Sequence, residues 1–301
     1  MTTADHGRLL RRVTATALGV ALGLTAIKAA AWLLTGSVAM LGAMLDSLLD
    51  AFASLVNLIA VRHALAPADR EHRFGHGKAE PLAGMAQAAF IGGSSLVVFY
   101  ESAQRLWQPA PLVHEWIGIG VAAFSALVTL GLVAFQKRVV ARTGSMAVGA
   151  DSAHYQGDLA MNAAIVAALL LSSQLGWTWA DPVFAILIAL FMLKTVYGIA
   201  AQAFDHLMDR ELPDAARARI REIALAHPEA CALHDLKTRA AGAGSFIQFH
   251  LELDGELSLR RAHDIVDGIE ADLMAAFPGA EIIIHQEPAG IADARQVFPP
   301  R

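Results

Sequence analysis

The chain has 301 residues, 55% of them hydrophobic and 17% charged, and a mean hydropathy of +0.47. Soluble domains carry about a quarter charged residues, so this deficit excludes an ordinary water-soluble protein and points to lipid. The formal net charge of −5 says little, because the charges are sparse up to about residue 205 and dense beyond it; no nucleic-acid partner is expected.

Six apolar stretches are long enough to cross about 30 Å of hydrocarbon. They lie near 13–34, 38–61, 82–107, 116–135, 147–175 and 183–204. The first follows a basic N-terminus (Arg8, Arg11, Arg12), but no small-residue cleavage site closes it, so it is expected to be a retained helix and not a signal peptide. The fourth carries no charge between Trp116 and Phe135, whereas the second and fifth are interrupted by acids and a histidine.

Lysine and arginine set the orientation. They precede the first helix, lie between the second and third (Arg62, Arg70, Arg73, Lys78) and lie between the fourth and fifth (Lys137, Arg138, Arg142). The opposite connections, Thr35-Gly36 and the segments near 108–115 and 176–181, contain none. Both termini are therefore expected in the cytoplasm.

Beyond Leu207 the pattern changes to that of a soluble domain. An amphipathic helix is predicted over 213–226, started by Pro213 and Asp214 and stopped before Pro228. Alternating runs at 232–239 and 245–253 read as strands divided by the turn at 241–244, and Ser258 to Phe277 reads as a second helix. Glu281 to His285 closes as a strand. The expected architecture is thus an all-α six-helix membrane bundle over 1–206, an α-β-β-α-β domain of the α+β class over 207–292, and a disordered tail over 293–301. The one cysteine, Cys231, cannot form an intramolecular disulfide, which suits a reducing cytosol.

Four residues in the membrane carry the chemistry. Asp46 and Asp50 are four apart on the second helix, so they share one face about 40° apart; His154 and Asp158 repeat that spacing on the fifth, with Asn162 a turn further on. At 1.5 Å per residue, Asp46 and Asp50 lie roughly 14 and 20 Å below the outer surface. His154 and Asp158 lie roughly 10 and 16 Å above the inner one. In a core of about 30 Å, Asp46 levels with Asp158 and Asp50 with His154. Each acid costs about 2.5–3.5 kcal/mol there, and a divalent cation held by three carboxylates and one imidazole removes that cost. A buried polar network and a metal-free proton relay are the alternatives.

Thr35-Gly36-Ser37-Val38, Leu45-Asp46-Ser47-Leu48-Leu49-Asp50, Phe74-Gly75-His76-Gly77-Lys78-Ala79-Glu80 and His154-Tyr155-Gln156-Gly157-Asp158 resemble the motifs of cation diffusion facilitators. The resemblance runs from the first helix to about Pro288. It implies a homodimer that exchanges cytoplasmic Zn²⁺, with Fe²⁺ and Cd²⁺ as further candidates, for protons by alternating access. It places the transport site on Asp46, Asp50, His154 and Asp158, and a second site in the loop at Asp69, His72 and His76. It also implies a metallochaperone-like cytoplasmic domain with a two-metal site at His234, His250, His263 and His285, completed by Glu287 where similar members of that family have Asp. Lys78 and Asp209 match a charge pair that interlocks the subunits. His6, His63, His114, His206 and His227 are unassigned.

Other mechanisms lack their motifs. A phosphate-binding loop needs Gly five positions before Gly77 and Ser or Thr after Lys78, and these positions hold His72 and Ala79. No nucleotide is expected, so an ion gradient must drive transport. An intramembrane metallohydrolase would need an open metal position and a base, commonly in His-Glu-x-x-His, which is absent. A metal channel is separated from a carrier by saturating, proton-dependent flux. The chain is expected to be a secondary transporter and not an enzyme.

Overall fold

The computed structural model describes residues 3–35, 38–107, 116–175, 179–241 and 244–290. The connection at Gly36-Ser37, most of the other two outer connections, the centre of the turn at 241–244 and the tail at 293–301 lie outside these residues. The chain divides into two compact units, Met1–Phe204 and Asp205–Arg301.

The first unit is built from α1 (Thr3–Thr35), α2 (Val38–Ala64), α3 (Ala79–Trp107), α4 (Trp116–Thr143), α5 (Met146–Leu175) and α6 (Ala180–Leu207). Several helices run past the apolar stretches that predict them. α1 begins ten residues before 13 and α4 continues eight beyond 135, because helix overhanging the hydrocarbon keeps its backbone bonds whatever its side chains. These overhangs pack: Leu10 of α1 and Val139 of α4 are buried with Val13, Val61, Ala83, Ala147 and Val148.

Five helices among the described residues are long and apolar enough to cross a membrane. α5 falls outside that criterion; Asp151, His154 and Asp158 interrupt its first half. Large apolar side chains are exposed along the others, among them Leu48, Phe52, Leu96, Leu127 and Phe191, a surface made for lipid. α5 packs against α2, α3 and α4. It also meets α6 closely at Gly157, where a Cβ would lie 2.7 Å from Cε of Met192. The absent side chain lets α6 approach between His154 and Asp158.

The second unit follows the expected order: α7 (Asp214–Leu225), β1 (Ala232–Ala241), β2 (Gly244–Leu253), α8 (Leu259–Ala276) and β3 (Ala280–Pro288). β1 and β2 pair antiparallel, and α8 carries the chain across so that β3 lies parallel to β2. Ser258 caps α8 by accepting from the Arg261 N–H. α8 buries Ile265, Val266, Ile269 and Leu273 with Ile247, Phe249 and Leu251 of β2 and Ile220 of α7. The helix period of the first set and the strand period of the second meet in one core.

Candidate metal centres

Helix pairing creates the intramembrane cluster. α2 and α5 bring Asp50 and His154 together, with His154 Nε2 2.9 Å from Asp50 Oδ1 and 3.8 Å from Asp158 Oδ2. One ligand atom of each of these three residues lies within 4.8 Å of the others. Asp46, expected as the fourth member, stands outside that group and is exposed, one turn away on α2. Next to Asp46, Lys28 Nζ of α1 donates to Ser47 Oγ at 2.6 Å. Lys28 thus brings a positive charge beside Asp46, and sequence reasoning passed over it as one lysine in an apolar run.

A second polar set braces α5 one turn from His154. Asp151 is buried and accepts from Gln136 Nε2 at 2.7 Å and Gln87 Nε2 at 3.2 Å, with Ser54 Oγ at 3.5 Å. Ser54 Oγ also lies 2.9 Å from the Tyr155 hydroxyl. Four helices are tied at this level, which fixes the rotation of α5 that turns His154 toward Asp50. The signal was present as a second acid in the apolar run, beside Asp158, and two glutamines in others, but nothing in spacing joins α2, α3 and α4 to it.

The connection from α2 to α3 folds around Asp69. Its Oδ1 accepts from the N–H groups of Glu71 at 2.9 Å and His72 at 2.6 Å, an Asx turn that reverses the chain. Gly75, with φ +77°, turns it again, and the Gly75 N–H donates to the His72 carbonyl at 2.9 Å. His72 Nδ1 then lies 3.3 Å from Oδ1 and His76 Nε2 3.4 Å from Oδ2 of Asp69. The hydrogen bond from the His72 N–H, above all, holds the Asp69 carboxyl below its usual range, so it offers a charged oxygen between two imidazoles.

In the cytoplasmic domain the strand register builds the site. His234 of β1 pairs with His250 of β2, and His250 with His285 of β3, so three imidazoles form a row across the sheet. Glu287, two residues beyond His285 and on the same face, reaches all three. His250 Nδ1 lies 2.6 Å from Oε1, His285 Nε2 3.3 Å from Oε1, and His234 Nε2 3.2 Å from Oε2. The extra methylene of glutamate therefore does not prevent contact with the histidines. His263, expected here, does not join them in this chain. It stands 66% exposed on α8 with Nδ1 3.5 Å from Asp267, because the buried face of α8 is taken by its apolar residues.

Two acids at this centre were missed. Glu252 Oε1 is 3.6 Å from His234 Nε2, and Asp235 Oδ2 is 3.8 Å from His250 Nε2. Glu252 follows His250 by two and could have been read from strand period. Asp235 could not: a register shift between His234 and Lys237, with φ 47° at Asp235, swings it out of alternation. Of the expected subunit charge pair, Asp209 lies 3.2 Å from Arg239 Nη1 within its own unit, and Lys78 belongs to the turn that precedes α3.

Both units match one family. Residues 14–208 match the cation efflux transmembrane domain, and residues 212–289 match the cation efflux protein cytoplasmic domain. The chain belongs to the cation efflux family: it is a multi-pass membrane transporter of metal cations, not an enzyme. Among named relatives, it is similar to the cation-efflux pump FieF of Shewanella oneidensis, 45% identical over 294 residues that cover 98% of this chain and 99% of that one. FieF of Salmonella arizonae is 46% identical over 286 residues, 95% of each chain. The metal-bound C-terminal domain of the CzcD transporter from Thermotoga maritima is 25% identical, covering 26% of this chain and 93% of that one at a TM-score of 0.26. The family resemblance drawn from the motifs thus holds along nearly the whole chain.

Proposed function

We propose that this transporter exports Zn²⁺, with Cd²⁺ and Fe²⁺ as further cargo, in exchange for protons by alternating access. The observation that carries this reading is His154 lying 2.9 Å from Asp50 and 3.8 Å from Asp158 in helices that cross the membrane. Carboxylates and one imidazole suit a borderline divalent ion, and the nitrogen favours zinc over harder cations. Asp46, one turn along α2, supplies the fourth ligand once the ion draws the acids together. Cargo binds ionised carboxylates and neutral imidazole, so loading releases protons. The emptied site returns carrying protons, which spares the membrane three bare charges.

The remaining assignments follow the same logic. The chain sits as a homodimer in the bacterial inner membrane with both termini cytoplasmic. Its transport domain spans 1–206 and its metal-binding and dimerisation domain 207–292. Asp69, His72 and His76 form a loop site near the cytoplasmic surface. His234, His250, His285 and Glu287 hold zinc that stabilises the dimer. Lys78 and Asp209 interlock the subunits.

Metal-resolved flux into proteoliposomes across an imposed pH gradient tests the proposal. Zn²⁺ uptake should saturate, exceed that of Mn²⁺ and rise with an opposing proton gradient. Flux that neither saturates nor responds to the gradient would identify a channel.

A further inference from the structure

The end of α2 places one more histidine, His63, beside the Asp69 cluster: it touches the ring of His76 but stands outside the three residues whose ligand atoms lie within 4.8 Å of one another. His76 is flanked by two imidazoles at nearly equal separation: ring centroids lie 4.7 Å away for His72 and 4.5 Å for His63. His63 is exposed and contacts the ring of His76 edge-on, at 68° between planes. His76 itself is only 6% exposed, its Nε2 faces Asp69, and its Nδ1 is buried with no hydrogen-bond partner. A buried imidazole nitrogen without a partner is costly in a finished structure. It is expected in a ligand set that lacks its ion, whose arrival reorients the rings and their outer partners.

Asp69, His72 and His76 supply three ligands, whereas zinc in a closed site takes four. We propose that His63 is the fourth ligand of the loop site, giving one carboxylate oxygen and three imidazole nitrogens around a single Zn²⁺-class ion. The inference rests on the reading of the loop as a metal site. Its chemistry differs from that of the intramembrane cluster, where oxygen donors dominate. Three nitrogens favour Zn²⁺ strongly over Mn²⁺ and close the position that water would otherwise hold. The loop site is then a selective, retentive site at the end of α2, tying α2 to the turn that precedes α3.

The test uses the full-length protein in detergent micelles, with the other two clusters disabled by Asp50→Ala, Asp158→Ala, His234→Ala and His250→Ala. Zn²⁺ alone is the probe, read by chelator competition and by X-ray absorption at the zinc edge, which counts coordinated imidazoles. This background should bind one loop zinc with three imidazoles. His63→Gln should leave two imidazoles and weaken binding by about 10- to 100-fold, the range in which metal sites answer to their surroundings. His63→Asn, which can offer an oxygen at shorter reach, should also leave two imidazoles. Unchanged affinity in His63→Gln, with two imidazoles before and after, overturns the role of His63. If Asp69→Ala and His76→Ala abolish binding in that event, the loop site itself stands. Absence of any bound zinc in the background overturns both.

Discussion

In the proposed transport site, His154 is the residue on which ion choice should turn, because it gives the intramembrane cluster its one nitrogen. Replacing it with Asp makes the site all-oxygen, and Zn²⁺ should lose its advantage over Mn²⁺ by about tenfold or more. Competitive uptake of the two ions by wild type and His154→Asp measures this directly; an unchanged ratio would remove His154 from ion selection. Asp151, three residues earlier, acts differently, as a brace accepting from Gln136 and Gln87. Asp151→Ala leaves those buried donors unsatisfied and should cost about 1–3 kcal/mol each. The detergent-solubilised variant should melt at a lower temperature with its intramembrane ligands intact. An unaltered melting temperature would show that the brace is dispensable. Much at this scale was legible. Depth arithmetic put Asp50 level with His154, and these two side chains meet at 2.9 Å. The set around Asp151 was not, since its members come from four helices whose rotations no local spacing defines.

Among the elements, α8 is the one whose contribution can be isolated, because its apolar face and β2 form a core inside the second unit. Ile269→Ala in a fragment spanning 207–290 should destabilise it by about 2–5 kcal/mol, read as a shift of the urea midpoint. A shift under ~0.5 kcal/mol would contradict the packing described. α8 also carries Arg261, which pairs bidentately with Glu229 and holds that carboxyl below its usual range. A lowered carboxyl contributes stability above the unfolded glutamate pKa of about 4.3, and loses it as pH falls through the lower folded value. Wild type and Arg261→Gln should therefore differ slightly at pH 7 and converge below about pH 4. A gap that widens in acid would refute the pairing. Here period told nearly everything, since helix and strand alternate in separable blocks. What it could not reveal was the register shift at Asp235, which breaks the strand alternation just past the His234–His250 pair.

At the scale of the whole molecule, the two units carry clusters with different donor sets that could hold a metal ion, so the proposed sites should be separable in function. His234→Ala with His250→Ala should lower metal binding by the cytoplasmic domain and weaken dimers while leaving residual transport. Complete loss of flux with dimers intact would assign those histidines to the transport path instead. Charge asymmetry and apolar runs made the membrane architecture legible early. They could not place Asp46 outside the cluster of Asp50, His154 and Asp158, because helix spacing alone does not say which of two acids a turn apart meets α5. The most direct test of cation export through this cluster is zinc flux in proteoliposomes reconstituted with wild type, Asp50→Ala and Asp158→Ala at matched insertion and dimer content. Each variant leaves uncompensated charge in the membrane and breaks the proposed coordination shell, so flux should fall to the level of empty liposomes. Wild-type flux in either variant would contradict the transport site.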